Sequence, residues 1–136
     1  MPRIKKTILA VAVTLTACTG TLGAFAAPAL ADPGGASGPG VRAAAIVNAD
    51  GSVVRSKGVT TVRKIATGQY RIRLDADVNA ATTVPVATVR WTSAPWDSSI
   101  FVRPDGAESC GDSRDVFVGT GTAAGARDTG FHVIVP

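Results

Sequence analysis

Between Gln69 and Leu74 apolar and polar side chains alternate: Tyr70, Ile72 and Leu74 against Gln69, Arg71 and Arg73. A period of two puts each set on its own face, so the stretch predicts a strand with one face buried and the other in water. Thr67-Gly68 supplies a turn before it, and Asp75-Ala76-Asp77 ends the apolar run. Residues 42–48, 52–55, 59–65, 82–91, 100–103, 115–120 and 130–135 read as further short strands. The segments between them carry turn chemistry: Asn48-Ala49-Asp50-Gly51, with glycine where a hairpin wants positive φ, then Ser56-Lys57-Gly58 and Pro104-Asp105-Gly106. A Gly/Ala-rich loop joins the last two strands. Pro85 removes a ladder donor from 82–91, which places that strand at a sheet edge or at a bulge. Outside the N-terminal segment no window repeats at 3.6 residues. Short strands at about ten-residue spacing predict an all-β fold, a small antiparallel β-sandwich of seven to eight strands.

The N-terminus follows a different rule. Arg3, Lys5 and Lys6 precede an uncharged run, residues 7–27, and Ala29-Leu30-Ala31 offers a small-x-small cleavage site ahead of Asp32-Pro33-Gly34-Gly35. That is the pattern of an export signal. A membrane anchor would need about 20 apolar residues, and Gly20 and Gly23 interrupt this run while Pro28 follows it directly. The expected organisation is a signal peptide over 1–31, a flexible Gly/Pro linker over 32–41 and a β-sandwich domain over 42–136, with a secreted product. Leu15-Thr16-Ala17-Cys18 offers an alternative, because it resembles the bacterial lipobox whose cysteine is lipidated. The product would then be anchored at the cell surface, on a mostly apolar tether where such tethers are usually polar.

Export changes the charge balance. The chain has 14 basic and 10 acidic residues, but three basic ones leave with the signal, so residues 32–136 carry 11 against 10. The basic character of the chain belongs largely to the leader, and nothing in it points to nucleic acid. What remains is unevenly placed. Residues 32–73 hold seven basic and two acidic residues, and 74–136 hold four and eight, so the two halves are expected to pair across a sheet. A mature part of this length makes one domain with a core of its own. Its single cysteine, Cys110, has no partner in the chain, and an exposed thiol in an oxidising space is open to an intermolecular disulfide and hence a homodimer.

The strand and turn segments also carry a resemblance. Ile46-Val47-Asn48-Ala49-Asp50-Gly51-Ser52-Val53, Gly68-Gln69-Tyr70-Arg71-Ile72 with Asp75-Ala76-Asp77-Val78, Val116-Phe117-Val118, and Arg127-Asp128-Thr129-Gly130-Phe131-His132-Val133-Ile134-Val135 resemble a family of small secreted β-sandwich modules from high-GC Gram-positive bacteria. The resemblance implies the same fold and an export route, and it carries no known chemistry. Members often have one cysteine after the Asp-Val pair and another at the C-terminus; here Ala80-Ala81 and Pro136 stand in those places.

Candidate chemistry is sparse. Cys110-Gly111-Asp112-Ser113 resembles the nucleophile segment of chymotrypsin-like proteases, but Arg114-Asp115 replace the glycines of the oxyanion turn. The one histidine, His132, also follows that serine, the reverse of the family's order. His132 with Cys110 or Asp128 could be drawn as a dyad, the basis of a small-hydrolase alternative. The alternation of Phe131, Val133 and Val135 instead makes it an ordinary strand residue. Asp75, Asp77 and Asn79 occupy the first ligand positions of a calcium loop, and Ala80 and Val86 replace its turn glycine and its closing glutamate. Trp91 and Trp96 flank a loop containing Pro95, with Arg90 and Asp97 beside them. Flat aromatic faces with a polar rim suit a carbohydrate ring, although a sandwich of this size is expected to keep one of the two in its core. Arg63, Lys64, Arg71 and Arg73 form a basic patch if their strands pair, without the interleaved aromatics that single-stranded nucleic acid requires. The expectation is an exported, non-catalytic binding or structural module without metal or cofactor. Its partner is extracellular, carbohydrate or protein, with Trp91 and Trp96 as candidate ligand contacts.

Overall fold

The structure is a computed structural model that describes residues 29–30, 40–104 and 112–136. Ten strands run in chain order: β1 (Ala29–Leu30), β2 (Ala43–Val47), β3 (Val53–Lys57), β4 (Val59–Ala66), β5 (Gln69–Leu74), β6 (Val86–Val89), β7 (Ser99–Pro104), β8 (Asp115–Thr122), β9 (Gly125–Ala126) and β10 (Phe131–Val135). They form two antiparallel sheets. One is ordered β1-β4-β5-β8-β7, with the short β9 folded onto β8, and the other β3-β2-β10-β6. The all-β sandwich expected from the alternation is what forms, and eight of its strands are longer than two residues.

The core is the inward half of each alternation. Tyr70, Ile72 and Leu74 of β5 and Val116 and Val118 of β8 face Ala43, Ala45 and Val47 of β2 and Phe131, Val133 and Val135 of β10, all of them buried. Tyr70 and Phe131 meet across the two sheets, ring centroids 5.0 Å apart and tilted by 60°. The Tyr70 hydroxyl donates to the Ala49 carbonyl at 2.7 Å. Burial, and then the nearby Asp128 charge, push its pKa up to about 12, so it stays a neutral donor.

Hairpins set the register where the turn residues placed them. The 48–51 turn closes with Gly51 N–H donating to the Asn48 carbonyl at 2.9 Å, and Asp50 accepts from both the amide and the hydroxyl of Ser52. Those two bonds lower the Asp50 pKa. Gly68 takes φ +65° between β4 and β5, and a Cβ there would lie 2.2 Å from the Thr120 carbonyl oxygen, so only glycine fits. Asp128 fastens the same corner, accepting from the Gly68 amide at 2.7 Å and pairing with Lys64. Burial alone would raise the Asp128 carboxyl; the bonds from Gly68 and Lys64 outweigh it and hold the pKa low.

The 82–91 run forms a much shorter strand than expected. A 3-10 turn occupies Ala80–Thr82, capped by the Asn79 side chain on the Ala81 amide, and β6 begins only after Pro85. That strand is at the edge of its sheet, as the proline requires. β1 lies inside the expected leader: Ala29 pairs with Val62 and Leu30 with Thr61 on the outer edge of β4. The linker residues 31–39 and the loop 105–111, with Cys110, lie outside the described residues, as does Cys18. No described helix is long and apolar enough to cross a membrane.

Candidate functional site

The connection from β6 to β7 passes from one sheet to the other and carries both tryptophans. Arg90 anchors its start: its amide donates to the Gly130 carbonyl at 2.8 Å and its guanidinium to Asn48 Oδ1 at 2.6 Å. A 3-10 turn over Trp91–Ser93 follows, and Ser98 N–H closes a second turn onto the Pro95 carbonyl at 3.0 Å. These turns bring Trp91 and Trp96 into edge-to-face contact, centroids 4.5 Å apart and planes at 83°. Neither ring is in the core. Trp91 is 70% exposed and Trp96 89%, so the expectation that one would be buried is wrong. Tyr70 and Phe131 fill the interior that a tryptophan would have taken.

The outer face of the larger sheet departs from the expected plain, wet surface. Register places Arg63 of β4 opposite Arg71 of β5, Arg71 opposite Phe117 of β8, and Phe117 opposite Arg103 of β7. The four form one transverse row. In the neighbouring row Gln69, Gly119 and Phe101 stand side by side. The Phe101 ring lies over Gly119, where a Cβ would come within 2.0 Å of its Cζ. It stacks near-parallel on Phe117 at 5.8 Å and 28°. The Arg103 guanidinium covers Phe117 at 5.1 Å from the ring centroid. Phe117 is thereby buried, whereas Phe101 stays 59% exposed. The aromatics missing from the arginine-bearing strands in sequence are supplied by β7 and β8.

Arg71 also differs from expectation. It is only 8% exposed, with its Nε 4.0 Å from the Asp115 carboxylate. Asp115 is fully buried and receives a two-pronged bond from Arg73, Nε to Oδ1 at 2.8 Å and a terminal nitrogen to Oδ2 at 3.0 Å. Burial would raise the Asp115 pKa; the Arg73 bonds, the Asp112 amide and the two arginine charges overcome it and leave the value low. The same partnership raises the Arg73 pKa. Arg73 also pairs with Asp112 at 2.8 Å. With Lys64–Asp128, these pairs join the basic first half of the domain to its acidic second half, as the charge distribution foretold.

The remaining candidates stay apart. His132 stands on the outer face of the smaller sheet between Ile46 and Thr88, facing away from Phe131. Asp128 lies instead against Lys64 and Gly68, at the β4–β5 corner. Asp112, drawn from the protease-like tetrad, accepts from the Arg114 amide at 2.8 Å and pairs with Arg73. Asp75 accepts from the Thr60 hydroxyl at 2.8 Å, and Asp77 offers its backbone carbonyl to Arg42. Among the described residues no three metal-binding side chains come together. Comparison with protein-family models, with curated proteins and with solved structures finds no match to this chain.

Proposed function

We propose that this chain is an exported, non-catalytic binding module that takes a carbohydrate on the Trp91–Trp96 pair. One observation carries the reading: two indoles held perpendicular in a turn-braced loop, both largely in solvent. Large apolar side chains are normally buried, and a contiguous exposed patch of them is the usual mark of a contact surface. Two rings at right angles make a corner. A sugar ring has flat C–H faces and a hydroxyl rim, so it can stack on one indole while the other forms a wall. Arg90 and Asp97 stand beside the tryptophans in sequence, where hydroxyls at such a rim find donors and acceptors. Export is supported by the leader pattern of residues 1–31.

Trp91 and Trp96 are the only tryptophans, so tryptophan emission reports on this loop alone. Titration with soluble xylan, chitin and cellulose oligosaccharides should quench or blue-shift the emission for at least one of them. Retention on the matching insoluble polysaccharide should fall about tenfold or more in Trp96→Ala, since exposed aromatic anchors dominate such contacts. Unchanged emission with every glycan, or retention indifferent to both Trp91→Ala and Trp96→Ala, would remove the proposal.

A further inference from the structure

We infer that the outer edge of β4 is a docking site for an extended, uncharged peptide segment of a partner protein, which adds to the larger sheet as one more antiparallel strand. The inference rests on the export part of the reading above and makes no use of the tryptophan loop.

The starting observation is the strand already seated there. Ala29 and Leu30 run antiparallel to β4, opposite Val62 and Thr61. An edge strand offers a row of backbone N–H and C=O groups to any extended chain, and strand addition is a recurrent way of binding peptides. This occupant belongs to the segment ahead of Ala31 in the small-x-small cleavage site, so cleavage after Ala31 takes it away. β4 is then the last strand of its sheet, with β5 on its other side.

The β4–β5 register sets the length of the site. Pairing is regular from Thr61 opposite Arg73 to Lys64 opposite Tyr70, and it shifts at both ends of that window. Thr60 is the extra residue at one end, its hydroxyl donating to Asp75, and Ile65 is the extra residue at the other. Bulges of this kind bend a strand and interrupt its ladder. Residues 61–64 therefore form the regular part of the edge, and β1 covers two of them. Pro28 comes next in the register and has no amide hydrogen to carry the ladder on. A partner segment without that proline has the whole window to use.

The window also states what fits. Directly opposed residues of neighbouring strands share a face of the sheet. Val62 is part of the core, so the residue opposite it lies on the core side and is apolar; the leader has alanine at that position. Residues 24–31 carry no charge at all. A second copy fits less well. The bulges at Thr60 and Ile65 confine β4 against β4 to the same short window, and half of that window is Arg63 and Lys64, residues of the kind that keep sheet edges from joining.

The test titrates the exported protein, its first residue read by intact mass spectrometry, with an end-blocked synthetic peptide of residues 24–31. Backbone amide shifts and hydrogen exchange are followed by NMR. In a protein that begins at Asp32, shifts and slowed exchange should concentrate at residues 61–64. Antiparallel strands turn alternate amides toward their neighbour. Methylating the peptide's backbone nitrogen at Ala29 or at Leu30 should therefore weaken binding about fivefold or more at one of the two and about twofold or less at the other. Trp96→Ala should leave the affinity unchanged, which separates the edge from apolar sticking on the indoles. Shifts confined to Trp91 and Trp96, equal effects of the two methyl groups, or no shift at residues 61–64 in millimolar peptide overturn the inference and leave the carbohydrate reading standing. A dimer joined through residues 61–64 that the peptide does not displace overturns it in favour of a second copy. An exported chain that still carries Ala29 and Leu30 overturns it together with cleavage after Ala31.

Discussion

Ile72 and Arg71 are neighbours in the chain and point to opposite faces, yet both are buried, for different reasons. Ile72 is enclosed by the core, and Ile72→Ala should cost about 2–5 kcal/mol through lost contact and the cavity left behind. Tyr70→Ala belongs in the same range and also leaves the Ala49 carbonyl without its donor. Alternation alone makes Arg71 a surface residue whose loss is cheap. Its position between Phe117, Arg63 and Asp115 says otherwise: the aliphatic stem is packed and the head neutralises a buried carboxylate. Arg71→Ala should therefore cost about 1–3 kcal/mol in urea melts. A loss within experimental error of zero would show that the guanidinium is not holding Asp115.

At the scale of elements, β8 is where the charge network matters. Asp115 begins that strand, its carboxylate gripping Arg73 of β5, while Asp112 and Arg114 form the turn before it. Because Asp115 sits below its ordinary pKa of 3.8 in the folded protein, its contribution is complete above the unfolded-state value and is lost as pH falls through the folded one. Asp115→Asn should thus be less stable than wild type at pH 7, and the gap should close on acidification below about pH 4. A gap that is constant from pH 7 to pH 2 would mean that the carboxylate's charge is not its source. Asp50 and Asp128 are shifted in the same direction, so some acid sensitivity should survive in the variant. β8 also marks the limit of what the sequence discloses. Strand positions, the hairpin glycines and the inward residues of β5 follow from period and turn chemistry, which are local. Burial on both faces of β8 does not, because Phe117 and Gly119 are covered by Arg71 of β5 and by Arg103 and Phe101 of β7, contacts that depend on strand pairing rather than on a local period. The tryptophan loop was visible as a pair of aromatics around a proline. That both rings stay outside depended on Tyr70 and Phe131 filling the interior first.

At the scale of the whole molecule, the N-terminal segment decides which edge the sandwich presents. Ala29 and Leu30 pair with Val62 and Thr61, making β4 an inner strand of its sheet. Signal cleavage after Ala31 would remove this two-residue strand, uncover Thr61 and Val62, and leave the eight-residue β4 as an edge. That edge carries Thr60, Arg63 and Lys64, polar and charged side chains of the kind that keep exposed strands from pairing with one another. Lipidation at Cys18 would instead retain β1 on β4 and hold the sandwich close to the membrane. The two routes therefore predict different mature proteins. The expected one begins at Asp32. β1 meets β4 at two residue pairs, whose backbone hydrogen bonds contribute about 0.5–1.5 kcal/mol each, so a chain starting at Asp32 should fold unaided. Its Tm should lie within about 8 °C of that of the full-length chain. Intact mass spectrometry of the exported protein fixes the N-terminus, and a diacylglyceryl-modified Cys18 would overturn the expectation. Failure of the Asp32-start chain to fold would overturn it equally, because Ala29 and Leu30 would then belong to the domain rather than to its leader.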